Sequence, residues 1–191
     1  MKIVRVAIMV ALVCASAAPQ TKELGQNVYT NTVGDITLAI DATVAAMKID
    51  SPYLMFMAFM VSPNAKSISV GRENVVLSYN GQDYPMAPLK DVNEKYKGGR
   101  DDMGLYGRFN KENLLSDTMR YYKFPQQGEF FPVPGFGSQL AVNEGNFTGE
   151  IGFQTKLYFK NPGLKKGDTV TIKVTDRKHP EVMADVAVTL K

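Results

Sequence analysis

The chain has 191 residues, of which 45% are hydrophobic and 21% charged, and its formal net charge is +3. These values are ordinary for a globular protein and exclude a largely disordered chain, a collagen-like chain and a coiled coil. The length suits one domain with a hydrophobic core and is short for two.

The first seventeen residues have the order of a secretory signal peptide. Lys2 and Arg5 form a short basic region, Val6–Ala15 is continuously apolar, and small residues follow up to Ala17. This order predicts export with cleavage after Ala17. We therefore expect a secreted or periplasmic protein.

Two alternatives to cleavage are weaker. An uncleaved anchor needs roughly 20 apolar residues to cross a bilayer, and this stretch is shorter, so we expect no transmembrane span. A lipoprotein would be acylated at Cys14, but bulky Val13 precedes that cysteine where a small residue is preferred.

Cleavage changes the charge and the chemistry of the chain. Residues 18–191 hold 20 basic and 19 acidic residues, and this near-neutral balance gives no footprint for nucleic acid. The only cysteine, Cys14, leaves with the leader, so a disulfide, a thiol nucleophile and a thiolate metal ligand are excluded. We expect no cofactor and no metal.

The body of the chain begins with a polar stretch and then alternates. Residues 18–32 lack periodicity and are interpreted as a flexible lead-in. From Ile36 to Val44 apolar residues recur every second position, which predicts an amphipathic strand. Its opposite, polar face consists of Asp35, Thr37, Asp41 and Thr43.

Residues Tyr53–Val61 form a run of nine apolar residues bounded by Pro52 and Pro63. Such a run suits a central strand covered on both faces. A buried helix is the rival interpretation, because Met, Leu and Ala favour helices and periodicity does not decide between the two.

Further short strands follow, separated by turn residues. Asn80-Gly81 tolerates positive φ and predicts a hairpin between the strand at 74–79 and the residues around Tyr84. A short strand at 67–70 precedes it. Near the C-terminus, alternation predicts strands over 151–159, 170–174 and 182–190, with turns at 161–163 and 166–168. Helices are predicted only at Leu89–Tyr96 and at Lys111–Tyr121, the second with Asn110 as its N-cap.

The pattern of short strands predicts an all-β, antiparallel β-sandwich over residues 33–191, with an aromatic-rich insertion at about 91–146 that carries one or two short helices. The segments 59–61, 75–84 and 164–170 resemble the immunoglobulin-like, telokin-like domains of exported bacterial proteins. That resemblance implies an immunoglobulin-like fold and brings no catalytic residue. The cysteine pair and buried tryptophan of antibody domains are absent, since the chain has no Trp.

The insertion is where we look for function. Nine of the 19 aromatic residues lie between residues 96 and 136. They either form a binding surface for a glycan or a protein, or they anchor a long loop to the core, and anchoring is the commoner use. The segment 130–137, rich in Phe and Pro, is either covered or meets a partner. The predicted binding residues are Tyr106, Arg108, Arg120, Tyr121, Tyr122 and Phe131.

Catalytic patterns are sparse. His179, the only histidine, could act as a general base oriented by Asp176 or Glu181, but its setting is typical of a polar hairpin loop. Carboxylates that could pair as in glycosidases are Asp101, Asp102, Glu129, Glu144 and Glu150.

Three functions follow from these patterns. The first is an exported, non-enzymatic interaction or structural module of the cell envelope, with an envelope protein as partner. The second is a glycan or small-ligand binder that uses the rings of the insertion. A carboxylate-dependent hydrolase is the weakest.

Overall fold

The computed structural model describes residues 20–135 and 140–191, which form mostly antiparallel β-sheet, 40% strand and 21% helix. The predicted signal peptide and Phe136 lie outside the described residues. The strands are β1 Lys22–Gly25, β2 Val28–Asn31, β3 Thr37–Asp41, β4 Tyr53–Val61, β5 Ile68–Gly71, β6 Val75–Tyr79, β7 Gln82–Pro85, β8 Glu144–Phe147, β9 Phe153–Lys160, β10 Thr169–Thr175 and β11 Met183–Thr189.

The strands pair into three antiparallel sheets. A five-stranded sheet has the order β1-β2-β3-β4-β9, a four-stranded sheet has the order β11-β10-β6-β7, and β5 pairs with β8. The α-helices are α1 Thr43–Met47, α2 Gly99–Phe109 and α3 Ser116–Met119. Short 3₁₀ helices lie at Arg72–Asn74 and Glu112–Leu115, and a π-helical turn lies at Asp91–Tyr96.

The apolar run from Tyr53 to Val61 is strand β4, as predicted, and the helical alternative is wrong. It lies between β3 and β9. Every residue from Leu54 to Val61 is buried. One face of the sheet carries Phe59, which packs edge-on against Phe124 at 5.5 Å between ring centroids. Because both faces are covered, the strand needs no polar side.

The polar face predicted for residues 35–43 is wrong, because the strand ends at Asp41 and its polar side chains are buried. Thr37 and Asp41, which are both part of β3, have almost no accessible surface. Asp41 accepts hydrogen bonds from the backbone N–H of Thr43 at 2.8 Å and of Lys111 at 3.1 Å. In the buried Asp41 carboxylate, backbone N–H groups take the place of water as hydrogen-bond donors. Asp41 is the last residue of the strand, and α1 begins two residues later.

The flexible lead-in predicted over residues 18–32 is also incorrect where the structure describes it. β1 and β2 form a hairpin in this stretch, with Lys22 opposite Thr30. Val28 and Tyr29 are buried in the core. The polar residues of β1 gave no strand signal because β1 lies at the edge of the sheet, where the backbone groups of one side face solvent.

The hairpin predicted at Asn80-Gly81 joins β6 and β7. Asn80 and Gly81 have φ of 50° and 77°, the positive values that a tight two-residue turn requires. Alternation in β10 and β11 is confirmed as well, since every second residue of these strands is buried. The four-stranded sheet therefore buries one face.

The helical content differs from the prediction. Helix at Leu89–Tyr96 is confirmed, ending in the π-helical turn. The helix predicted at Lys111–Tyr121 is split into 3₁₀ Glu112–Leu115 and α3, and Asn110 accepts the N–H of Glu112 at 3.4 Å. The longest helix, α2, was not predicted, because its glycines suggested a loop. The insertion also ends in a sheet, since β8 pairs with β5.

Side chains of β2 connect the two larger sheets. The Tyr29 hydroxyl donates to the backbone oxygen of Thr189 at 2.7 Å, and Asn31 Nδ2 donates to the backbone oxygen of Asp185 at 2.9 Å. Both acceptors belong to β11. The five-stranded sheet thus meets β11 on one face and the helical segment on the other.

Candidate functional site

The six predicted binding residues separate into two groups. Tyr106 and Phe131 are buried, and Arg108 is exposed on α2 away from any ring contact in the described residues. Arg120, Tyr121 and Tyr122 follow α3 directly. The structure brings only these last three together.

Tyr106 has a structural role. It lies on the buried side of α2 and its hydroxyl donates to Glu112 Oε1 at 2.7 Å. Burial raises the pKa of this phenol, and the neighbouring Glu112 carboxylate adds to the shift. The side chain fastens α2 to the following 3₁₀ helix and presents no surface to a ligand.

Phe130 and Phe131 cover the outer edge of β9. The Phe130 N–H donates to Thr155 Oγ1 at 2.9 Å. The Phe131 ring packs edge-on against Tyr158 at 5.1 Å, and the Arg72 guanidinium lies 4.6 Å from its centre. These rings anchor the insertion to the core, which is the anchoring use that the sequence left open.

The other two rings among the predicted residues, Tyr121 and Tyr122, border a shallow cleft of about 250 Å³, which we call the Tyr121 cleft. Its walls come from the end of α3 and from two loops. The chain is held in place there because the Lys123 N–H donates to the Glu150 oxygen and the Gly152 N–H to the Lys123 oxygen, each at 2.8 Å. The lining residues are Ser62, Pro63, Tyr121, Tyr122, Gly149 and Glu150.

Tyr121 is the most exposed aromatic residue of this cleft, with 73% of its surface accessible. The Arg120 guanidinium lies 4.6 Å from the centre of its ring. Ser62, which also lines the cleft, is fully buried, and its hydroxyl has no hydrogen-bond partner among the described residues. The sequence carried no signal for Ser62, since a serine after a strand is a common turn residue.

A second cleft, of about 350 Å³, lies beside β5 and the loop that joins β10 to β11. We call it the Asp176 cleft. It is lined by Lys66, Ser67, Ile68, Asp176, His179, Glu181 and Val182. Asp176 does not orient His179 through any hydrogen bond described in the structure. Its Oδ1 accepts the backbone N–H groups of Ser69 at 3.1 Å and Lys178 at 3.2 Å instead.

Two ion pairs, each with one buried member, connect the insertion to the rest of the chain. Asp102 on α2 accepts Lys48 Nζ at 2.5 Å, Tyr96 at 3.0 Å and Tyr158 at 2.9 Å. Burial acts to lower the pKa of Lys48, but hydrogen bonds to Asp102 and Tyr96 outweigh it and the pKa is raised. Lys156 and Glu129 form the second pair.

Three of the five predicted carboxylates contact cations. Asp102 and Glu129 contact the lysines just described, and Glu144 contacts Arg177 at 2.7 Å and Ser69 at 2.6 Å. The Ser69 hydroxyl and the Arg177 guanidinium lower the pKa of Glu144. Asp101 and Glu150 are exposed. Within residues 20–135 and 140–191, no group of three or more His, Cys, Asp or Glu side chains is arranged to hold a metal ion.

The chain matches none of the family models, curated proteins or solved structures with which it was compared. In the described part of the chain, the helices are too short or too polar to cross a bilayer.

Proposed function

We propose that the chain is an exported, non-enzymatic interaction module of the cell envelope, which recognises a protein partner at the Tyr121 cleft. The observation that carries the proposal is the exposed Arg120–Tyr121 stack beside this cleft. Other rings of the same segment, such as Tyr106 and Phe131, are buried. A stacked arginine and tyrosine are residue types enriched where protein partners bind most tightly.

The size of the cleft favours a protein partner. Pockets for drug-sized ligands typically measure about 300–1,000 Å³. The Tyr121 cleft has about 250 Å³, which is room for one anchoring side chain of a partner. Stacking on Arg120 lowers the freedom of the Tyr121 ring before binding, so less side-chain entropy is lost in the complex.

The proposal includes export and an immunoglobulin-like sandwich. Export is supported by the order of residues 1–17, basic, apolar and small. A sandwich is supported by the contacts of Tyr29 and Asn31 with β11, since they join one face of the five-stranded sheet to the four-stranded sheet. The alternating burial of β10 and β11 is typical of a sheet that packs against another on one side.

Site-specific crosslinking tests the proposed surface. A photoreactive phenylalanine analogue at position 121, introduced in the native host, is expected to capture one defined envelope protein. The matched control is position 109, because Phe109 is also an exposed ring of the insertion but does not line the cleft. Equal adducts at both positions, or none at position 121, would contradict the proposal.

Affinity for the captured partner then gives a quantitative test. Tyr121→Ala removes an exposed ring, so we expect the fold to persist and the Kd to rise at least about tenfold, as for a hot-spot residue. Phe109→Ala is expected to leave the Kd unchanged. Titration calorimetry with the purified partner measures both values, and an unchanged Kd for Tyr121→Ala rejects the site.

A glycan is the second candidate ligand, because a hydroxyl and a carboxylate flank the rings. Ser62 Oγ lacks a partner and Glu150 lines the same cleft, and such groups bind sugar hydroxyls beside a stacked ring. NMR titration with soluble envelope oligosaccharides distinguishes the candidates. Saturable shifts at Tyr121 and Tyr122 that Tyr121→Ala abolishes, with no protein adduct, select the glycan.

No contact favours the carboxylate hydrolase. Asp102, Glu129 and Glu144 each form an ion pair with a lysine or an arginine, and none of these contacts brings two carboxylates together as a glycosidase requires. We therefore do not propose hydrolysis.

A further inference from the structure

The Asp176 cleft contains a buried acceptor that the fold leaves unused. Only 1% of the Asp176 surface is accessible. Its Oδ1 accepts the N–H groups of Ser69 and Lys178, which ties β5 to the end of β10. Its Oδ2 has no partner among the described residues. A buried carboxylate oxygen normally has a hydrogen-bond donor, so this one points to a donor supplied from outside the chain.

The charges around the cleft favour a cationic donor. Glu181 adds a second carboxylate to the lining. Lys66 also lines the cleft, but its ammonium lies on Asp35 Oδ2 at 2.6 Å. His179 Nδ1 lies 3.6 Å from Glu181 Oε1 and the ring is exposed. No cation of the described residues is within hydrogen-bond distance of Asp176 Oδ2.

The remaining walls are apolar, which defines the rest of the ligand. Ile68 is buried and Val182 half-buried, and both line the cleft. At about 350 Å³ the cleft lies within the range typical of small-ligand sites. An ammonium on a straight hydrocarbon stem fits this lining, because its stem packs on Ile68 and Val182 while its three N–H groups meet carboxylate oxygens.

We propose that the Asp176 cleft binds a primary alkylammonium group, which donates to Asp176 Oδ2 and is attracted by Glu181. A lysine side chain of a peptide and a free alkyl diamine both carry this group. The site is separate from the Tyr121 cleft, and the two clefts share no lining residue. Its test therefore does not depend on the proposed interaction surface.

Three small probes test the chemistry by NMR titration. Nα-acetyl-lysine methylamide and 1,5-diaminopentane are expected to shift the backbone signals of Ser69, Lys178 and Glu181 saturably. Nα-acetyl-norleucine methylamide has the stem without the ammonium and is expected to cause no such shift. A lower Kd for the lysine amide identifies a peptide lysine as the occupant, and a lower Kd for the diamine identifies a free amine. Equal binding of the norleucine amide, or no shift with either amine, overturns the proposal.

Substitution of the two carboxylates, one at a time, tests which side chains bind the ammonium group. Asp176→Asn places a donor where the acceptor was, so we expect the Kd of the better amine to rise at least about tenfold. Glu181→Gln changes an exposed residue, leaves the fold intact and is expected to raise the Kd about threefold through lost attraction. Glu150→Gln in the other cleft is the control with no change. If Asp176→Asn does not fold, Glu181→Gln decides, and an unchanged Kd for that variant overturns the proposal.

Discussion

Lys156 shows how a single residue can make the stability of this fold depend on pH. Its side chain has no accessible surface and contacts Glu129. Burial lowers the pKa of Lys156 to about 8. A lysine side chain in an unfolded chain has a pKa of about 10.4. Between these two values the folded state binds fewer protons than the unfolded state, so the free energy of unfolding rises with pH there.

This linkage gives a measurable prediction. Between about pH 8 and pH 9.5, we expect the free energy of unfolding of the native sequence to gain about 1–2 kcal/mol relative to that of Lys156→Met. Urea unfolding at several pH values in this range measures the difference. Lys173→Met is the control, because Lys173 is only partly buried and pairs with exposed Asp83. If the Lys156→Met and native curves are parallel, the buried charge does not set the slope.

Single residues also explain what the sequence could and could not predict about the candidate site. Tyr121 and Arg120 were among the predicted residues because aromatic rings with neighbouring arginines are visible in the local sequence, whereas their exposure is a property of the fold. Ser62 gave no signal, and Asp176 was predicted only as a residue that could orient His179. Their interest comes from an oxygen left without a partner in the folded chain, and partners are decided by residues distant in sequence, such as Ser69 for Asp176.

At the scale of elements, α2 is held by polar contacts as well as by the packing of Met103 and Leu105 against the core. Its fully buried residues are Asp102 and Tyr106, one helical turn apart. Both are satisfied by hydrogen bonds, to Lys48, Tyr158 and Glu112 among others. The glycines of α2, at positions 99, 104 and 107, disfavour a helix, which is why the sequence did not predict it.

The adjacent aspartates of α2 provide a matched pair of variants. Asp102→Asn removes the charge that holds Lys48, and we expect the free energy of unfolding to fall by about 2–4 kcal/mol, since breaking a buried ion pair leaves the partner charge uncompensated. Asp101→Asn changes an exposed residue and is expected to cost less than about 0.5 kcal/mol. Urea unfolding at neutral pH measures both, and equal losses would show that the buried network does not anchor α2.

Other elements followed directly from local sequence. β4, β10, β11 and the hairpin at Asn80-Gly81 form where apolar runs, alternation and turn residues predicted them. Each of these signals arises within a few neighbouring residues. In contrast, β1 and β2 depend on pairing with each other and with β3, so their polar sequence was interpreted as a loop.

For the whole molecule, the edges of the sheets decide which surfaces stay available. An edge strand presents unpaired backbone groups that can recruit another chain. On β11, the oxygens of Thr189 and Asp185 accept Tyr29 and Asn31, and the Ala187 N–H donates to Thr21 Oγ1. On β9, the Tyr158 oxygen accepts the Ala87 N–H at 2.7 Å. These contacts oppose strand addition at β9 and β11.

Removing the hydrogen bonds that Tyr29 and Asn31 donate to β11 should expose the edge of that strand. For the double variant Tyr29→Phe and Asn31→Ala we expect a loss of about 1–3 kcal/mol in the free energy of unfolding, from two hydrogen bonds, and self-association that increases with concentration. Light scattering coupled to size-exclusion chromatography measures the second effect. Tyr79→Phe is the control, because its hydroxyl donates to the Asp168 side chain at 2.7 Å and caps no strand. A strictly monomeric double variant would show that these side chains do not guard the edge.

The methionines of β4 have a consequence for chemical damage. Met55, Met57 and Met60 are almost completely buried in β4, between β3 and β9, whereas Met47 and Met183 expose about half of their surface. Thioethers are oxidised to polar sulfoxides, and a sulfoxide inside packed strands would force them apart. An oxidant in solution therefore reacts first with the exposed Met47 and Met183, and their oxidation changes the structure little. The three buried methionines of β4 remain reduced for as long as the sheet stays folded.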